Sequence, residues 1–134
     1  MSVTPVYAGL LALMFILLSV RVIGMRRAAR VALGDGGNPA LLRRQRVHGN
    51  FAEYAPLALL LMALAELQGL PHGMIHAIGI LLLVGRATHA YGVGREPEVF
   101  RARILGMALT FAALGTGAVA NLGGALLAPP FGGP

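Results

Sequence analysis

The run Arg43-Arg44-Gln45-Arg46-Val47-His48-Gly49-Asn50-Phe51-Ala52-Glu53-Tyr54 sets polar and ionisable groups directly ahead of an apolar stretch, Ala55 to Ala65, that reads as membrane-spanning. At about 100° per residue of helix, Arg43, Arg46, Asn50, Glu53 and Tyr54 fall within an arc of roughly 100°. One helix face therefore carries guanidiniums, an amide, a carboxylate and a phenol. Ionisable groups at membrane depth cost about 2.5–3.5 kcal/mol each on insertion scales, and by default they mark a site. Guanidinium forks bind carboxylates through paired, charge-assisted hydrogen bonds. An amide both donates and accepts, and a glutamate can take an ammonium. The matching ligand is small and carries carboxylates together with an ammonium, which points toward glutathione. The competing reading is an ion pair between Arg46 and Glu53, or between helices, that satisfies the bundle and binds nothing.

Composition limits what can position these groups. Of the 134 residues, 57% are hydrophobic and only 12% charged, a membrane composition rather than a soluble one. A chain of this length forms one domain and cannot bury so much apolar surface around a soluble core, so lipid must cover it. The basic excess is all arginine, eleven residues. A nucleic-acid-binding face would need a soluble scaffold, whereas these arginines lie between apolar runs, so no nucleic-acid partner is expected. The chain has no cysteine. Any thiol chemistry must therefore use a thiol carried by a ligand.

Crossing ~30 Å of hydrocarbon takes about 20 helical residues. Four stretches qualify: residues 3–23, 46–67, 74–91 and 104–128. Together they predict an all-α, integral membrane four-helix bundle, with residues 129–134 as a flexible tail. No positive segment precedes the first stretch and Arg21 follows it, the wrong polarity for a cleaved signal peptide. Gly34-Asp35-Gly36-Gly37-Asn38-Pro39 breaks the chain between the first two spans. In the fourth, Gly106, Ala113, Gly117, Ala120 and Gly124 permit close helix approach.

The arginines then sort by loop. Arg21, Arg26, Arg27, Arg30, Arg43, Arg44 and Arg46 flank the first connection, and Arg86, Arg95, Arg101 and Arg103 the third. The positive-inside rule makes both connections cytoplasmic and puts both termini outside.

The pattern Arg46-x-x-x-Asn50-x-x-Glu53-Tyr54-x-Pro56-Leu57 resembles the second-span signature of the MAPEG superfamily, the membrane-associated proteins of eicosanoid and glutathione metabolism. Four spans, outside termini and basic cytoplasmic loops are similar to that family as well. The resemblance, to a bacterial-type member, implies an inner-membrane homotrimer with glutathione bound between subunits near the cytoplasmic face. It implies a glutathione ligand set of Arg46, Asn50 and Glu53 with Tyr54 beside them, and it matches Arg86 and His89 to the family's arginine and its histidine-or-tyrosine. Arg43 joins this set from the same face, and Arg26 or Arg27 matches a further ligand-contacting arginine. An arginine near the start of span four stabilises the thiolate in the family; here Arg101 and Arg103 both qualify. They lie ~200° apart on a helix, so only one can face the site. Thr110 and Asn121 share the face of Arg103, which favours Arg103. The family's prostaglandin and leukotriene synthases carry a tyrosine where this chain has Val93. The implied activity is conjugation or reduction of lipophilic electrophiles or hydroperoxides arriving from the bilayer.

Two alternatives belong to other classes: a relative that binds a small anion or lipid headgroup without catalysis, and a small proton-coupled exporter. The exporter needs a carboxylate kept clear of arginines, which Glu53 is not. Arg21, Arg30, Arg43 and Arg44 read first as interfacial anchors, Arg43 being kept as a ligand candidate as well, His48 as interfacial and Glu66 as solvated at the outer boundary. His72 and His76 have an i, i+4 metal spacing, but no third ligand lies near them in sequence.

Overall fold

A computed structural model describes residues 1–127. It consists of four helices: α1 Thr4–Ala29, α2 Pro39–Leu67, α3 His72–Gly94 and α4 Phe100–Leu127. All four are long and apolar enough to cross a membrane. Each covers its expected span through residue 127, except that α1 begins one residue later, at Thr4, and each extends past the span at the arginine-bearing end. Residue 128 of the fourth expected span and the tail 129–134 lie outside the described residues.

Local chemistry sets the helix ends. Pro5 stands in the first turn of α1, where a missing N–H costs nothing. Arg30 closes the helix in the left-handed region (φ 54°), with the Val31 N–H returning to the Arg26 carbonyl at 3.0 Å. The Gly-rich turn follows, where Gly36 and Gly37 both take positive φ at low steric cost. Asn38 then caps α2, its Oδ1 accepting the Leu41 N–H at 3.1 Å, and Pro39 begins the helix.

The helices run up and down. α2 and α3 form the middle; α1 packs on both and α4 packs on both, while α1 and α4 do not touch among the described residues. The α3–α4 contact is backbone against backbone. A Cβ on Gly92 would stand 2.5 Å from the Arg103 amide nitrogen, one on Gly85 2.9 Å from Thr110 Oγ1, and one on Gly106 would run into the His89 backbone. The small residues expected to allow close approach do so at Gly106, and at Gly117, whose Cβ would stand 3.1 Å from Leu61 Cβ.

Most of the surface is apolar: Leu13, Ile16, Leu17, Val20, Leu122 and Leu126 are all more than half exposed. In water that would be untenable; in a bilayer it is the lipid-facing surface. The core joins Leu11, Phe51, Met62, Ile75, Ile78 and Leu82.

At the end away from the arginines, several polar groups are matched inside the chain, although the buried Thr4 Oγ1 has no hydrogen-bond partner among the described residues. Glu66 was expected in solvent, yet it is 8% exposed. Its Oε1 accepts the N–H groups of Ser2 (2.6 Å) and Val3 (2.8 Å), and its Oε2 that of Thr4 (2.8 Å). The first residues of α1 have no side-chain cap of their own, so a carboxylate from the end of α2 supplies one. Tyr7 reaches His76 Nδ1 at 3.0 Å. Gln68 donates to Asn121 Oδ1 (2.8 Å), and Asn121 donates to the Leu61 carbonyl (2.8 Å). His48 also departs from expectation. It stacks on Phe15, centroids 4.7 Å apart, and meets Ser19 Oγ at 3.0 Å, so it belongs to the α1–α2 seam rather than the interface.

Candidate functional site

At the arginine end, a cavity of about 290 Å³ opens between α2, α3, α4 and the loop joining the last two. Pro39, Leu42, Arg43, Arg46 and Asn50 line it from α2, His89 and Val93 from α3, Glu98 from the loop and Arg103 from α4. Three guanidiniums therefore converge on one space. Its volume sits at the bottom of the ~300–1,000 Å³ range of ligand pockets, and two of its α2 lining residues, Leu42 and Arg46, are exposed.

The polar face read from the sequence divides in three. Arg43, Arg46 and Asn50 point into the cavity. Glu53 lies further along the same helix, exposed, and makes no ion pair among the described residues. The intrachain Arg46–Glu53 pair is thus absent. Tyr54 turns away from the cavity: its ring meets Phe111 edge-on at 5.7 Å and lies 5.6 Å from the Arg86 guanidinium.

Arg86 stands behind the cavity wall and does not line it. It is 1% exposed. Its Nε donates to Thr110 Oγ1 (3.0 Å), its Nη1 to Asn50 Oδ1 (2.7 Å), and its Nη2 to the Met107 sulfur (3.4 Å). Thr110 in turn donates to the Gly106 carbonyl at 2.8 Å. A guanidinium can only donate, so Asn50 must turn its oxygen toward Arg86 and its NH2 away from it. Arg86 positions Asn50, and does so from a fixed place because Gly85 beside it lets α4 approach closely.

His89 is 5% exposed, lines the cavity, and has no protein hydrogen-bond partner on its ring among the described residues. On α4, Arg103 faces the cavity and Arg101 does not. The polar-face reading explains why: Thr110 and Asn121, in register with Arg103, are both engaged by other helices. Ala108, Ala112 and Gly115, in register with Arg101, are exposed. Arg26 is not at this cavity either. Its Nη1 holds the carbonyls of Ala32 (3.2 Å) and Gly34 (2.9 Å), and with Arg27 and Arg30 it lines a separate open cleft.

Sequence reasoning missed Glu98. Its Oε1 lies 2.9 Å from Arg103 Nη1 and its Oε2 3.7 Å from Arg43 Nη1. The only hint was a pair of acidic residues, Glu96 and Glu98, in a loop flanked by arginines.

Four apolar helices, three of which enclose an arginine-lined cavity at one end of the bundle, define an integral membrane protein. The model of the MAPEG family matches residues 4–123, and the chain belongs to that family. It is similar to inner membrane protein YecN of Escherichia coli K12 and to the protein of the same name in Escherichia coli O6:H1. Each is 42% identical over 120 residues, covering 90% of this chain and 90% of the relative.

Proposed function

We propose that this membrane protein is a glutathione-dependent enzyme of the transferase or peroxidase type. On this reading it acts on lipophilic electrophiles or hydroperoxides at the cytoplasmic face of the inner membrane. The observation that carries the reading is the convergence of Arg43, Arg46 and Arg103 with His89 and the NH2 group of Asn50 on one cavity. This donor set suits a ligand with two carboxylates. Arg43 Nε is buried without a hydrogen-bond partner among the described residues, which leaves a donor there for an incoming acceptor. Bound glutathione would supply a thiol, and Arg103 beside it would favour the thiolate, as cations do for cysteine. Arg43, Arg46 and Asn50 would hold the carboxylates.

Glu53 would take the ammonium. Arg46, Asn50 and Glu53 share one line on α2, exposed at Arg46 and Glu53 and half-buried at Asn50, with Arg46 and Glu53 about 10 Å apart along the axis. Leu57, Leu60, Leu64 and Leu67 extend that line and are all exposed. This supports a homotrimer in which the line meets a neighbouring copy and the small cavity is completed by it. Arg26 would then act from that neighbour. An apolar groove of about 430 Å³, formed by Phe100, Ile104, Met107, Ala108 and Phe111, reaches Arg103 from the lipid side and suits the lipophilic substrate. The arginine distribution supports cytoplasmic connections at this end and outside termini, and the inner-membrane relatives support that location.

The second reading, a non-catalytic binder of a small anion or headgroup, draws support from Val93, which lines the cavity where the family's synthases carry a tyrosine. Retention of the detergent-solubilised protein on glutathione-agarose, followed by a chlorodinitrobenzene assay, separates the two. Retention with turnover supports the enzyme and retention alone the binder. Absence of both removes glutathione.

A further inference from the structure

We propose that Glu98 is an internal competitor for the arginine cavity. Its carboxylate sits on Arg103 and Arg43 as a ligand's anionic group would, and it must give way when an anion binds. The inference rests on the reading of this cavity as an anion site, but not on glutathione being the anion.

Four observations carry it. First, one carboxylate spans two helices, with its two oxygens directed at Arg103 of α4 and Arg43 of α2. Second, the contacts are unequal. At 2.9 Å the Arg103 contact is a full charge-assisted hydrogen bond, whereas 3.7 Å to Arg43 is outside hydrogen-bond range. With its Nε buried and unpartnered as well, Arg43 is under-satisfied by Glu98 alone. Third, the pair is partly wet: the Glu98 side chain is 26% exposed and that of Arg103 48%. Ion pairs in such settings contribute little, so a ligand with several anionic groups can displace this one. Fourth, Glu98 comes from the short loop between α3 and α4, not from a helix. The next residue is pinned by the Val99 N–H on the Gly92 carbonyl at 3.0 Å. The backbone is thus held while the side chain is left to rotate outward.

A role for Glu98 in binding a ligand's ammonium fits less well. Both of its oxygens face guanidiniums, so an approaching cation would meet two like charges. As a competitor it does something else. A ligand with a single weak anionic group gains too little to displace it, whereas one with several, held by Arg43, Arg46 and Arg103 together, gains enough. Glu98 therefore selects for multiply anionic ligands.

The test uses the full-length protein in detergent and isothermal titration with inorganic sulfate, a small dianion independent of any thiol. E98Q should bind sulfate at least threefold more tightly than the unaltered protein, and E98D, whose shorter arm cannot reach both arginines, should show a smaller gain. The gain should vanish in the E98Q/R103L double variant. It should also be absent from E96Q, which removes the same charge from an exposed neighbour that makes no ion pair. If E98Q does not fold, E98D carries the comparison. Sulfate affinity that is undetectable throughout, unchanged or weaker on loss of Glu98, matched in E96Q, or still raised without Arg103 would overturn the proposal. Glutathione titrated in parallel keeps the two readings apart. No glutathione binding alongside a sulfate gain removes glutathione and leaves the competitor, whereas glutathione binding without a sulfate gain does the reverse.

Discussion

The two ends of this bundle handle charge in opposite ways. At one end Glu66 is saturated by three backbone N–H groups, Tyr7 by His76, and Asn121 by Gln68 and a carbonyl, all within the chain. At the other, three arginines line one cavity, two of them on a single loop carboxylate, beside a histidine unpartnered among the described residues, and Glu53 is left on an open face. Both ends contain polar groups at or near membrane depth, so polarity alone does not distinguish a site. Saturation does. A matched group is part of the fold, and a surplus of donors is an invitation to a ligand.

The largest expected effect breaks the frame beneath the surplus. Gly106→Leu forces a side chain into the His89 backbone, which cannot rotate aside. The cost should reach the upper end of the overpacking range, about 3 kcal/mol, read as loss of the folded protein in thermal melts and gel filtration. Next, Glu53→Gln and Arg46→Ala should each weaken glutathione binding at least tenfold with folding intact. Both side chains are exposed in the single chain, so the size of the loss assumes the proposed neighbouring copy desolvates their ligand contacts, where removing one partner costs about 2–5 kcal/mol. Unchanged calorimetric affinity in both would take α2 out of the site and blur the contrast between the ends. Third, Arg103→Leu should abolish the thiolate absorbance of bound glutathione near neutral pH with only modestly weaker binding, while Arg101→Leu keeps it. The opposite outcome would reverse the assignment of the two arginines. The smallest change is at the saturated end. Glu66→Gln should lower the melting temperature while leaving glutathione affinity within twofold, and a marked loss of binding there would show that the two ends are coupled.

Much of this contrast is legible in the sequence. Span length and the clustering of arginine fix four helices and the end at which charge collects. The shared face of Arg103, Thr110 and Asn121 separates Arg103 from Arg101, because helix periodicity decides which side chains turn inward. Periodicity gives a direction but not a reach. Arg86 lies on the expected face, yet its long arm passes behind the wall to Asn50 instead of into the cavity. Glu98 sits in a loop, where no repeat specifies which way a side chain points. Glu66 misleads for a further reason: hydropathy puts it at a boundary, but its partners are Ser2, Val3 and Thr4 where α1 begins, more than sixty positions earlier, and only the packed bundle brings them there.

One of these arms has a consequence for the direction in which a ligand can lie. Because Arg86 claims the oxygen of Asn50, the amide shows the cavity nothing but N–H, next to guanidiniums that also show nothing but N–H. A molecule turned end for end would set its own N–H groups against this wall. The amide cannot flip to accept them without confronting Arg86 donor to donor. The head-to-tail sense of anything bound along α2 is thus written by a side chain buried one layer behind the contact.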